Sequence, residues 1–205
     1  MLRARLRRYW ASLAMKRGAL DEAAGLLDEC HRLLATLDEA AVPNLKLAFL
    51  LYQSACMSVR FQQGDLEAAE RAGLAAERLL TDMDLGTGHR VDEFRLELGD
   101  VQYRLGKLDD ARHTWERLLA TTDATMHVPE HAEAQLRLVW LLASDDAPAA
   151  RQLALRLAGD ARQTFMRHGR FQRHDVAEQL LASLEDGSPP PDPAVLFDEL
   201  RYPAY

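Results

Sequence analysis

Apolar residues recur along this chain at helical spacing. Between residues 47 and 61, Leu47, Leu50, Leu51, Ser54, Cys56, Met57 and Phe61 recur at helical spacing. After Gly64 come Leu66, Ala69, Ala72, Ala76, Leu79 and Leu80. Phe94, Leu96, Leu98, Val101 and Leu105 precede Gly106, and Leu108, Ala111, Trp115, Leu118 and Leu119 follow it. These stripes predict amphipathic helices, each burying one face. Prolines are absent from the interiors of these segments, and Pro43 and Pro129 fall where a first helical turn would begin.

A short motif punctuates the helices. It reads Gly18-Ala-Leu-Asp-Glu-Ala23, Gly64-Asp-Leu-Glu-Ala-Ala69 and Gly106-Lys-Leu-Asp-Asp-Ala111. The glycines stand 46 and 42 residues apart, and a fixed period of that size is the mark of stacked units. Each residue has a physical reason to be there. Gly ends one helix in the left-handed conformation that costs it little. The acids open the next helix, where its dipole is positive. Leu can tuck into the junction, and Ala faces the preceding helix where nothing larger fits. Each copy predicts a tight turn between two antiparallel helices.

Beyond residue 120 the pattern weakens. A helix is expected over 130–143, then a turn at Ser144-Asp145-Asp146, then a helix over roughly 147–168 that Gly159 could break. The apolar face assigned to this second helix is Ala150, Leu153, Leu157, Ala161 and Phe165. His168-Gly169-Arg170 closes it, and a final helix over about 171–185 covers the open end of the stack. Gly187-Ser-Pro-Pro-Pro-Asp-Pro193 forbids regular structure. The last residues carry Leu196, Phe197, Leu200, Tyr202 and Tyr205, too apolar for a plain solvated tail. The chain thus divides into a helical domain over 1–186 and a Pro-rich C-terminal segment over 187–205.

The motif resembles that of tetratricopeptide repeat proteins. The third unit is most similar, with Leu98-Gly99, Tyr103, Gly106, Ala111 and Trp115. The second keeps Gly64, Ala69 and Ala76, with Cys56-Met57 in place of Leu-Gly; the first keeps Trp10-Ala11, Gly18, Ala23, Leu27 and Cys30. The likeness spans roughly residues 1–168. The spacing exceeds the family's usual period of about 34 and looks more like kinesin light chains and the sensor regions of large bacterial regulators. The resemblance implies an all-α fold: a right-handed α-α superhelix of about four helix pairs, with the last helix as a cap. It also implies a concave groove that binds peptides or protein segments, and no enzymatic activity.

Composition narrows the function. With 32 acidic and 25 basic residues the net charge is −7, which disfavours direct nucleic-acid binding. No apolar run approaches the length of a membrane span. Arg3, Arg5, Arg7 and Arg8 are not followed by the apolar stretch of a signal peptide, so a cytoplasmic location is expected. The two cysteines, Cys30 and Cys56, read as packed thiols rather than a disulfide or metal framework. His127-Val-Pro-Glu-His131 has histidines four apart, but Glu130 is misplaced for a metalloprotease helix and Pro129 should exclude His127 from the helix. It reads as a polar loop, as do His168 and His174 around Gly169. Neither a nucleophile elbow nor a phosphate-binding loop is present. No cofactor, metal or catalytic residue is expected.

If the first unit has the family geometry, Arg5, Arg8, Ser12 and Lys16 line the groove. The later units then contribute Ser54, Ser58, Phe61 and Gln62, and Glu93, Leu96, Asp100, Tyr103 and Arg104. The groove would be basic at one end and suited to an acidic segment. The chaperone-binding carboxylate clamp of the family is absent, since Asn44 is the sole asparagine. The first expectation is a protein-binding adaptor. A second is a ligand- or peptide-sensing domain acting with a separate effector protein. A third is homodimer formation through the C-terminal segment.

Overall fold

The computed structural model describes residues 1–85, 88–121, 128–143 and 147–190. Among them it is all-helical: α1 (Leu2–Lys16), α2 (Leu20–Ala35), α3 (Leu45–Gln62), α4 (Leu66–Asp82), α5 (His89–Arg104), α6 (Leu108–Thr121), α7 (Val128–Leu142), α8 (Pro148–Arg167) and α9 (Phe171–Asp186). No helix among these residues is long and apolar enough to cross a membrane. Two compact units emerge, one of Met1–Gly86 with Asp100–Lys107, the other of Thr87–Gly99 with Leu108–Tyr205.

The glycine turns form as the motif predicts. Gly18, Gly64 and Gly106 have φ of 76, 81 and 75°. In each, the glycine N–H and that of the next residue reach back to the last helical turn: Gly64 to the Phe61 carbonyl at 3.0 Å and Asp65 to the Arg60 carbonyl at 3.0 Å. This double bond is a Schellman ending, which satisfies carbonyls the helix leaves open. The fifth residue onward is Ala23, Ala69 or Ala111, each fully buried. Acids fill the following first turn, and the Asp65 side chain caps α4 by accepting from the Ala68 N–H at 3.1 Å. A fourth copy of this turn joins α8 to α9. Gly169 has φ 67°, and Arg170 N–H donates to the Phe165 carbonyl at 2.9 Å. The motif hides it because His174 stands where the other copies have Ala.

In the first unit, α1 and α2 pack antiparallel. Ala11 and Ala14 meet Ala23 and Leu27 at one end, and Ala4 meets Cys30 and Leu34 at the other. The same two clusters take Val59 and Leu45 from α3, so α1 and α3 run side by side in the same direction. Polar ties repeat beside two turns. Gln63, next to Gly64, donates to Asp21 at the start of α2 at 3.3 Å, and Lys107, next to Gly106, meets Glu70 near the start of α4 at 2.6 Å.

The second unit is built around α7. Ala132 to Leu142 are buried without a break, so this helix has no solvent face. Its charges are therefore paired internally. Glu133 accepts from Arg137 at 2.9 Å and from Arg173 of α9 at 2.8 Å. A buried carboxylate held by two guanidiniums is stable only as a set, because removing one member strands a desolvated charge. α8 runs unbroken through Gly159, and its buried stripe is Ala150, Ala154, Ala158, Ala161 and Phe165. Leu153, assigned to the core from spacing, is 36% exposed instead. Alanines let helices approach closely, and the larger Leu is turned to the rim. Arg151 donates through Nε to the Leu184 carbonyl at 3.0 Å, satisfying the C-terminal end of α9.

α7 begins at Val128, with Pro129 second, so His131 lies inside the helix expected over 130–143 and not in a loop. His174 likewise sits in the first turn of α9. His127, the Ser144–Asp146 turn and the apolar C-terminal end lie outside the described residues.

One glycine is required by contact rather than by φ. A Cβ on Gly99 in α5 would stand 2.1 Å from Nε1 of the fully buried Trp115 on α6, whose N–H points at the Leu96 carbonyl at 3.5 Å. Gly99→Ala is expected to lower the unfolding free energy by about 1–3 kcal/mol, the range for overpacking a tight core. Gly25→Ala, on the exposed face of α2 with nothing within 4 Å, should be stabilising by about 0.5–1 kcal/mol. Paired urea titrations check both; a neutral Gly99→Ala would contradict the contact.

Candidate functional site in the first unit

The best-formed site joining residues expected from the sequence is a 240 Å³ cleft where α1 meets α3. Ala4, Arg5 and Arg8 of α1 form one wall, Leu47, Ala48 and Leu51 of α3 the other, and Cys30 and Leu34 of α2 the floor. Local rules place each group. Ala4 is buried because α1 and α2 approach closely there, which leaves Arg5 and Arg8 on the adjoining edge of the helix. Leu47 and Leu51 are four apart on α3, hence one above the other. Cys30 donates its thiol proton to the Ala4 carbonyl at 3.3 Å. Burial pushes this thiol up, opposed by the nearby Arg8 charge. The result is an apolar slot edged by two cations.

Further along α3, Phe61 carries the Arg104 guanidinium 4.9 Å above its ring. These two expected site residues therefore meet, and a cation over an aromatic face is a favourable contact. Ser12 and Ser58 are less available than their positions suggest. Their hydroxyls donate to the carbonyls of Arg8 and Ser54 on their own helices, at 3.2 and 3.3 Å. Ser54 is half-buried, and Lys16 and Gln62 are exposed. Asp100 and Tyr103 are half-buried near the end of α5. Leu96 needs correction. It is fully buried, and its carbonyl lies against the Trp115 indole, so it is core and cannot meet a partner. The groove register placed it outward; the bulk of Trp115 against Gly99 sets that part of α5 inward.

A second cleft of 330 Å³ lies between α2 and α4 over α3, with Asp28 on one side and Arg60 and Arg71 on the other. Sequence reasoning did not identify it: Leu27, Cys56 and Ala72 belong to faces assigned to packing, and Asp28, Arg60 and Arg71 meet only when α2, α3 and α4 assemble. Tyr52 and Cys56 line it. Burial pushes the Cys56 thiol up to about 11, with the Tyr52 hydrogen bond opposing. Burial and the Cys56 contact likewise raise the Tyr52 phenol. Tyr52 also stacks on His31, with ring centres 5.3 Å apart. Because the thiolate is the nucleophile, iodoacetamide at about pH 8 should alkylate Cys56 roughly a hundredfold more slowly than a free thiol. A mass-spectrometric time course reads this directly; rapid labelling would contradict a buried, protonated thiol.

In the second unit, Glu93 does not stand free in a groove. His89 bridges it at 3.3 Å and the buried Glu130 at 3.5 Å, the two contacts using different ring nitrogens. Ligand atoms of these three residues lie within 4.8 Å of one another, as do those of His174, Asp175 and Glu178. In both groups the histidine already lies within ion-pair distance of its carboxylates, so packing and charge explain them as they stand. His131 is held below its usual value, chiefly by burial, with Asp160 and Asp92 opposing. A depressed histidine binds its proton more readily in the unfolded chain. Its stabilising contribution is therefore present above about pH 6.5 and lost as pH falls below that. The drop in urea midpoint between about pH 8 and pH 5.5 should be smaller in His131→Gln than in the parent protein. Equal drops would remove His131 as a contributor.

Comparisons with protein-family models, with curated proteins and with solved structures find no match to this chain.

Proposed function

We propose that this chain is a non-enzymatic adaptor of the tetratricopeptide kind, which binds a protein segment along the α1–α3 face of its first unit. The observation that carries this reading is the cleft with Arg5 and Arg8 at its edge and Leu47, Ala48 and Leu51 in its wall. An apolar side chain of the segment enters the slot. A neighbouring Asp or Glu meets the guanidiniums in charge-assisted hydrogen bonds. Phe61 under Arg104 offers a second, aromatic contact further along α3. Such a segment is short, apolar and acidic.

The test begins with the protein as bait in extract of its native cell, the captured partners being identified by mass spectrometry. Calorimetric titration then compares the parent with the Arg5→Glu, Arg8→Glu double variant. Losing two charge-assisted contacts and gaining repulsion should weaken the partner's affinity by at least about a hundredfold, with helicity by circular dichroism unchanged. Unchanged affinity would defeat the reading. Capture of a small molecule in the same cleft, with no protein segment, would favour a ligand-sensing role beside a separate effector.

A further inference from the structure

The large apolar side chains of α1 are on its outward face, and its buried face carries only small ones. The helix buries Ala4, Ala11 and Ala14, each at most 1% exposed, against α2 and α3. On the opposite side it exposes Leu2 (72%), Leu6 (48%), Tyr9 (58%) and Trp10 (51%). Soluble helices ordinarily do the reverse. Leu2, Leu6, Tyr9 and the half-buried Leu13 are spaced four, three and four residues apart. That is the spacing of the a and d positions in a helix that packs into another helix. Arg3 and Arg5 flank the seam at the e and g positions, and α1 contains no acidic residue. Arg7, further round, is tied to Glu29 of α2 at 2.7 Å, which anchors α1 in this orientation.

We propose that this stripe docks an acidic amphipathic helix of a partner protein, with Leu or Ile along its seam and Glu at its flanking positions. Charge selects this occupant among three. A second copy of α1 laid on the first would set arginine rows together with no acid between them. A lipid surface has no residue register to match the four-three-four spacing, and the chain's net charge of −7 opposes an anionic membrane. An acidic helix matches both the spacing and the arginines. The stripe shares Arg5 with the cleft of the proposed function, but neither Leu6 nor Tyr9 lines that cleft.

The experiment uses the full chain and a three-heptad probe peptide with Leu at its seam and Glu at its e and g positions. Its twin carries Lys at those positions. Fluorescence anisotropy should show the Glu peptide binding roughly tenfold or more tightly than the Lys peptide, against the trend set by net charge. Leu6→Glu with Tyr9→Glu should abolish that binding while leaving circular dichroism unchanged. Arg3→Glu should narrow or invert the preference between the peptides. Equal binding of both peptides, or of neither, overturns the proposal. Concentration-dependent dimerisation lost in the Leu6–Tyr9 variant would overturn it in favour of self-association. Co-sedimentation with phosphatidylglycerol vesicles, without a preference between the peptides, would overturn it in favour of a membrane.

Discussion

How near two helices can lie depends on the residues between them, and in this protein those residues are alanine and glycine. Ala23, Ala69 and Ala111 stand five residues beyond a turn glycine, and all three are fully buried. The turn supplies the reversal and its hydrogen bonds; the alanine lets the second helix lie against the first. Gly99 under Trp115 takes the same principle further. There even a methyl group is excluded, and the space is given to an indole that fills the junction of α5 with α6. Close approach then decides what is left outside. On α1 the buried face is alanine, so its large apolar residues and its arginines remain at the surface.

The two units manage their polar groups differently. In the first, charges lie at helix ends and edges: Asp65 caps α4, Gln63 reaches Asp21 and Lys107 reaches Glu70. Burial there is shallow enough to leave clefts edged by arginine. In the second, α7 is enclosed and brings Glu133 and Arg137 inside, where Arg173 completes a compensated set. Such a set does little for net stability, because desolvation offsets most of the attraction. Both clefts described above lie in the first unit, and the ion pairs of Glu133 in the second.

The sequence by itself determined the helices and their turns. Local physics suffices for that: a period near 3.6 in apolar residues, a glycine able to take positive φ, and acids at helix starts. It also set Arg5 and Arg8 three residues apart on one helix, whereas the meeting of Phe61 with Arg104 is a contact between α3 and α5 that spacing alone does not fix. Tertiary packing decided what periodicity cannot distinguish. Leu96 and Leu153 both lie on apolar patterns, yet one is core and the other rim, because only the neighbouring helix says which side is covered. The enclosure of α7 depends on contacts distant in sequence. The exposed stripe on α1 is of this kind as well. Its leucines look like core residues in the sequence, and become a surface only because α2 and α3 pack against the alanines opposite them.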